Sequence, residues 1–278
     1  MELKKEHMQE SAGFLIEPDE LVKLLGTNVV VIDARKPGEF KNGHIPGALP
    51  FSTYEMFVDD TRLDGMKPFA EALANRFMIA GVTLDKPVIV YDEDTGMRAA
   101  REMWMLEFLG HRNARMLHGG LDFWRKVGGP VINDTDIPTV RTKAFTPSIS
   151  SGYLSSIDEV SRRAGTWNYW LIDVRDDLEW AGKDNTPCCA RRGHIPHAKH
   201  IEWTQFLENG RFKSPAAIQA LIARHEINPR HDIAVYCHRG ARSANTVYAL
   251  RYAGIHSARN FIGSWHEWSA RTDLPIAK

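Results

Sequence analysis

The sequence predicts an α/β protein made of two tandem units, each a small parallel β-sheet flanked by helices. Three observations carry that expectation. Short apolar β-type runs alternate with helical patterns, as expected for parallel strands joined by helical crossovers. Ordered blocks of residues recur once along the 278-residue chain, which has room for two ordinary domains. Between the two sets of blocks, residues 133–150 are rich in Thr, Pro, Asp and Ser without periodicity and read as a connection. The expected division is a first unit at 1–135, a linker at 136–152 and a second unit at 153–278.

The repeat is explicit. Val30-Val31-Ile32-Asp33-Ala34-Arg35 is echoed by Trp170-Leu171-Ile172-Asp173-Val174-Arg175, and Gly43-His44-Ile45-Pro46-Gly47-Ala48 by Gly193-His194-Ile195-Pro196-His197-Ala198. Val88-Ile89-Val90-Tyr91-Asp92 is echoed by Ile233-Ala234-Val235-Tyr236-Cys237. Leu106 to Gly110 with Ala114-Arg115 matches Leu250 to Gly254 with Ala258-Arg259, and Gly119 through Trp124 matches Gly263 through Trp268 at the same offset. In the first unit, helices are expected at 18–25, 68–79 and 97–109 and strands at 29–32 and 88–91. His44 and His194 recur in both copies and read as structural, while Trp104, Trp124, Trp265 and Trp268 read as core.

Composition narrows the function. Apolar residues make up 43% and charged residues 25% of the chain, and Lys+Arg balances Asp+Glu at 35 each. That balance gives no support to a nucleic-acid or anionic-membrane partner, and no apolar run approaches a membrane span. Residues 1–10 are charged and polar, without the core of a signal peptide or the acid-poor bias of a transit peptide. Three cysteines, two of them adjacent, make a poor disulfide framework, so a reducing cytoplasm is the expected setting.

The chemistry concentrates at Cys237. An apolar run, Ile233 to Tyr236, reads as a buried strand, and 243–253 reads as a helix. Between them lie Cys237, His238, Arg239, Gly240, Ala241 and Arg242, followed by Ser243. A thiol at a helix N-terminus sits among unpaired N–H groups at the positive end of the dipole. Such settings lower a thiol pKa from about 8.5 to roughly 3.5–7.5, and two neighbouring guanidinium groups act in the same direction. A cysteine used as a small core hydrophobe is the competing reading. It leaves the polar residues after the thiol unexplained.

This loop resembles the active-site loop of the rhodanese-type sulfurtransferases. Its spacing is Cys-x4-Arg, one residue shorter than the Cys-x5-Arg of the related tyrosine, dual-specificity and Cdc25-type phosphatases. The shorter ring suits a persulfide sulfur and the longer one a phosphate. Phe40-x3-His44-Ile45-Pro46-Gly47-Ala48 is similar to the family's N-terminal signature. The run from Ala258 through Phe261, Gly263, Ser264, Trp265, Glu267 and Trp268 is similar to its C-terminal one, with Ile262 in place of the usual acidic or small residue. The resemblance covers the whole chain and implies two tandem rhodanese-like domains.

The first unit's counterpart of the loop runs from Asp92 through Glu93, Asp94, Thr95, Gly96 and Met97 to Arg98, one residue longer. A carboxylate cannot form a persulfide, and three acids repel an anionic donor. Chemistry is therefore expected in the second unit alone, with the first walling the cleft. The resemblance implies that Cys237 is catalytic, that Arg175 and Arg239 bind the donor anion, and that the segment from His238 to Ser243 cradles a persulfide, with Arg242 adding charge. An ion pair with Asp173 or Asp176 is the competing role for Arg175, since Arg35 repeats it.

The expected partners are a small-molecule sulfur donor and a thiophilic acceptor, cyanide or a thiol, with no metal and no organic cofactor. Thiosulfate-preferring members resemble Cys-Arg-Lys-Gly-Val-Thr here and mercaptopyruvate-preferring members Cys-Gly-Ser/Thr-Gly-Val-Thr. His238-Arg239 is closer to the first, so thiosulfate is the expected donor and 3-mercaptopyruvate the alternative. A Cdc25-like phosphatase or arsenate reductase and a non-enzymatic sulfur-carrier or regulatory module are the remaining readings. Cys188 and Cys189 lie in an insertion, 183–192, that the first unit lacks. Loop cysteines are expected there rather than a redox contact with Cys237.

Overall fold

The computed structural model describes residues 13–84, 86–134, 147–184, 189 and 191–278. The first unit contains β1 (Leu15–Ile16), α1 (Pro18–Leu24), β2 (Val30–Asp33), β3 (Ala48–Pro50), α2 (Leu63–Ile79), β4 (Val88–Tyr91), α3 (Met97–Phe108), β5 (Ala114–Leu117) and α4 (Gly120–Lys126). The second contains α5 (Ile157–Arg163), β6 (Tyr169–Asp173), α6 (Asp177–Trp180) and β7 (Lys199–His200). It continues with the hairpin β8 (Leu207–Glu208) and β9 (Arg211–Phe212), then α7 (Pro215–Arg224), β10 (Asp232–Tyr236), α8 (Ala241–Tyr252), β11 (Ala258–Asn260) and α9 (Ser264–Ala270).

Besides the β8–β9 hairpin, the described residues form two larger sheets, in the orders β1-β5-β4-β2-β3 and β11-β10-β6-β7, and every neighbouring pair in both is parallel. The central strands β4 and β10 are apolar and buried on both faces, as strands covered by helices on each side must be. Registers match between copies: Asp33 lies opposite Tyr91, and Asp173 opposite Tyr236. The carboxyl ends of the central strands, where open α/β sheets collect ligand groups, therefore carry Asp92 in one unit and Cys237 in the other.

The duplicated residues repeat one set of ties. His44 N–H donates to the Ile132 carbonyl at 2.8 Å and His194 N–H to the Ala277 carbonyl at 2.9 Å. Their rings stack on Phe40 and Trp180, at 3.6 and 3.4 Å between centroids. The indole N–H of Trp124 reaches the Pro130 carbonyl at 2.9 Å, and that of Trp268 the Pro275 carbonyl at 2.8 Å. Trp104, Trp124, Trp265 and Trp268 are all buried, and both histidines hold scaffold.

The two units share one interior. α3 packs against α8, and a single apolar cluster takes in Trp104 and Phe108 from the first unit with Val247, Leu250 and Ile262 from the second. Glu107 accepts hydrogen bonds from Tyr248 Oη and Arg251 Nη1, both at 2.8 Å, across the same junction. Of the expected linker, residues 136–146 lie outside the described residues; Ser148 and Ser150 donate their N–H groups to Leu109 and Phe108. Among the described residues no helix is long and apolar enough to cross a membrane.

One element begins earlier than expected. α2 starts at Leu63, so Pro68 lies inside it rather than at its first turn. The added turn buries Met66 completely, and that packing outweighs the one backbone hydrogen bond Pro68 removes.

Candidate active site

Cys237 follows β10 directly, and the loop after it turns into α8 through Gly240, whose φ of 85° is left-handed. A Cβ at Gly240 would also lie 2.5 Å from the Ile262 side chain and 2.7 Å from its carbonyl. Both the backbone angle and the close approach require glycine.

Four consecutive loop carbonyls are each taken by a donor from outside the loop. The Cys237 carbonyl accepts the Trp265 N–H at 3.0 Å and the His238 carbonyl the His266 N–H at 3.0 Å, both from the first turn of α9. The Arg239 carbonyl accepts Arg101 Nη1 at 2.7 Å, and the Gly240 carbonyl accepts Asn260 Nδ2 at 3.1 Å. With the carbonyls drawn outward, the peptide N–H groups turn inward toward the thiol. Gly240 N–H reaches Cys237 Sγ at 3.1 Å. The Ser243 hydroxyl lies 3.5 Å from the sulfur and 2.7 Å from Asn260 Oδ1, which holds it in place.

This environment sets the thiol's charge. Cys237 is 1% exposed, and burial pushes its pKa up. The Arg242 guanidinium, the Ser243 hydroxyl and the loop N–H groups outweigh burial and hold it below the ordinary cysteine value. His238, next in the chain, stays neutral: burial and the charges of Arg239 and Arg242 push it down to about 4. A buried sulfur anion ringed by amides is what a persulfide needs, since the donors are already aimed where charge accumulates.

The expected residues fall into three groups. Cys237, Gly240, Ala241 and Ser243 are buried and form the floor of the cradle. Arg239 and Arg242 stand at its rim. Arg239 lies over the Phe57 ring of the first unit at 3.9 Å, and among the described residues no carboxylate lies within ion-pair distance of it. Arg242 is bound through both terminal nitrogens to the Glu179 carboxylate, at 2.5 and 2.8 Å.

Arg175 forms the third group by itself. It is 1% exposed; Nε and Nη2 grip Asp173, and Nη2 also donates to the Gly193 carbonyl at 2.8 Å. Arg35 makes the same contacts with Asp33 and the Gly43 carbonyl in the copy that lacks a thiol. The structure shows that ion pair, and the same side chain lines the pocket shared with Glu179, Cys189 and His238.

The first unit's loop keeps the frame without the thiol. Leu121 and Asp122 donate to the Asp92 and Glu93 carbonyls, at 2.9 and 2.7 Å, as Trp265 and His266 do in the second unit. Asp92 Oδ1 and Oδ2 accept the N–H groups of Glu93 and Arg98. Burial raises that carboxyl to about 6 against those hydrogen bonds. A carboxylate thus fills the nest that sulfur occupies in the other copy.

Four contributors escaped the sequence reading. Ser264 accepts the Cys237 N–H at 3.1 Å through its hydroxyl, and Asn260, Arg101 and Glu179 act as described above. Ser264 aligns with Gly120 of the repeat, and both have left-handed backbones, φ 56° and 60°. Serine where the first copy has glycine was the signal available in the sequence. In the insertion, Cys188 lies outside the described residues, and Cys189 Sγ is 3.4 Å from His238 Nε2. Arg191 anchors the same segment through four carbonyls between Trp268 and Leu274.

Comparison with known proteins matches this geometry. Residues 17–127 and 156–271 each match the rhodanese-like domain. A thiosulfate sulfurtransferase of Corynebacterium glutamicum is 31% identical over 251 residues, spanning 84% of this chain and 79% of that one. A 3-mercaptopyruvate sulfurtransferase of Escherichia coli is 29% identical, spanning 89% and 92%. Among solved structures, one described as a probable thiosulfate sulfurtransferase has a TM-score of 0.72 at 29% identity, covering 90% of this chain and 98% of that one. The anaerobic ergothioneine biosynthesis enzyme of Chlorobium limicola shares the fold, with a TM-score of 0.84 at 21% identity over 97% of this chain and 71% of its own. The chain belongs to the rhodanese-like domain family, with two copies of the domain and a cysteine at the strand–helix turn of the second.

Proposed function

We propose that this chain is a sulfurtransferase that moves a sulfane sulfur from thiosulfate to a thiophilic acceptor through a persulfide on Cys237. The observation that carries the reading is the inward-facing amide ring around a thiol whose pKa is held down. The Cys237 thiolate attacks the outer sulfur of the donor, the donor's S–S bond breaks, and sulfite leaves with the bonding pair. The terminal persulfide sulfur carries the negative charge and accepts from the loop N–H groups and Ser243. Cyanide or a thiolate then attacks that sulfur and Cys237 leaves as thiolate. Such a two-step covalent route gives ping-pong kinetics.

Arg239 supplies the donor-binding charge in this scheme, since it stands at the rim without a carboxylate partner among the described residues. The first copy, with Asp92 in the nest, walls the cleft and braces the loop. One observation favours 3-mercaptopyruvate as donor instead: Arg242, counted on to draw a dianion, has its charge met by Glu179. Measuring kcat/KM for the two donors tests the assignment. A higher value for thiosulfate supports it, and a large advantage for 3-mercaptopyruvate replaces it with the second reading.

A further inference from the structure

Arg242, whose charge acts on the reactive sulfur, forms an ion pair with Glu179. Arg242 lies in the first turn of α8 and is the charged group that does most to lower the Cys237 thiol. Glu179 comes from α6, sixty-three positions away in sequence. Both side chains are largely buried, 18% and 9% exposed. Glu179 is also fixed from behind, because α6 opens with a capping box in which Asp176 accepts the Glu179 N–H at 2.9 Å and Glu179 accepts the Asp176 N–H at 3.3 Å. Beyond that cap, the loop around Cys237 has its bonds among the described residues without this carboxylate. Arg175 already has Asp173, and the loop carbonyls have their four donors.

We propose that Glu179 is a specificity-determining residue that sets the charge a donor meets at Cys237. By pairing with Arg242 it cancels the loop cation beside the thiol and leaves Arg239 to hold the donor. The site then favours a singly charged donor over a dianion more than the basic loop alone would. Of the other charged groups lining this pocket, Arg175 is offset by Asp173, Arg191 is bound to four backbone carbonyls, His238 is neutral, and Asp184 and Arg192 add opposite charges to the wall. The inference rests on the sulfurtransferase reading and bears on the balance between its two donors, since thiosulfate is a dianion and 3-mercaptopyruvate a monoanion.

A fixed charge acts on a dianion with twice the energy it has on a monoanion, so the ratio of the two donors reports it directly. Glu179→Gln keeps the shape and the capping hydrogen bonds and removes the charge. Its kcat/KM for thiosulfate relative to 3-mercaptopyruvate should rise about tenfold over the wild-type ratio, while Arg242→Gln should lower that ratio by about tenfold. Both donors sample the same folded population, so partial unfolding cancels in the ratio. A purely structural ion pair predicts that both variants lose activity on both donors alike. Unchanged ratios, or shifts in one direction for both variants, overturn the proposal. If neither donor loads sulfur onto the wild-type protein, the sulfurtransferase reading fails instead.

Discussion

Arg101 of α3 and Asn245 of α8 occupy equivalent places in the two copies, and each donates to a carbonyl of the other copy's loop. Arg101 Nη1 holds the Arg239 carbonyl at 2.7 Å, and Asn245 Nδ2 holds the Thr95 carbonyl at 2.7 Å. Arg101 is 1% exposed, and burial lowers its pKa. A second bond to the Met56 carbonyl aims it. The copy without a thiol therefore holds one of the four carbonyls that turn the amides toward Cys237. Arg101→Met should cost about 1–3 kcal/mol of stability for the two carbonyls left unpaired and lower kcat/KM about tenfold. Urea unfolding and donor kinetics check both, and undiminished kcat/KM would remove the first unit from the loop's support.

The same shared interior governs truncation. α8 is buried from Ser243 to Arg251, and much of its cover comes from α3. Residues 153–278 produced alone should expose that apolar face and fail to give a cooperative thermal transition. A soluble, folded and fully active second unit would contradict the arrangement.

Ser264 carries a left-handed backbone, where serine costs about 1–3 kcal/mol, and its hydroxyl fixes the Cys237 N–H. Ser264→Gly relieves the strain and orphans that N–H, so stability should change by no more than about 1 kcal/mol. The reaction of Cys237 with donor should slow by about three- to tenfold as the sulfur loses its fixed position. Rates equal to the wild type would show that the strained serine serves folding alone.

The lowered pKa of Cys237 makes the rate of iodoacetamide alkylation rise with pH through a midpoint below that of an ordinary cysteine, then level off. Ser243→Ala removes one group that stabilises the thiolate and should move the midpoint up. Stopped-time alkylation followed by peptide mass spectrometry reads the profile at Cys237 separately from Cys188 and Cys189. A midpoint at or above the ordinary value, unmoved by the substitution, would contradict the anion-stabilising cradle.

Glu267 joins the copies: it accepts the N–H and hydroxyl of Thr61, both at 2.8 Å. Burial raises its carboxyl to about 7 against those bonds. Between the ordinary glutamate value and about 7 the folded state therefore binds more protons than the unfolded state. Stability from this group is full below that window, falls as pH rises through it and is flat above. Glu267→Gln should flatten the difference, by about 1–3 kcal/mol between pH 5 and pH 8. Urea unfolding at the two pH values measures it, and an identical pH dependence in both proteins would refute the assignment.

Much of this was legible in the sequence because the chain repeats itself. The Asp33/Asp173, His44/His194 and Trp124/Trp268 pairs mark one frame used twice, and the swap of Asp92 for Cys237 marks where the copies diverge. What was not legible depends on contacts distant in sequence. The charge of Arg242 reads as available until Glu179, sixty-three positions away, folds against it. The start of α2 was obscured by Pro68, because proline signals a first turn more often than an interior one. Burial of Met66 overrides that signal.

The most direct test is to incubate the full chain with thiosulfate and map the product by mass spectrometry, with Cys237→Ser alongside. The peptide containing Cys237 should gain about 32 Da, one sulfur atom, lose it on addition of cyanide, and show no gain in the variant. A Cys237 peptide of unchanged mass, or a variant that transfers sulfur at the wild-type rate, would contradict the central claim.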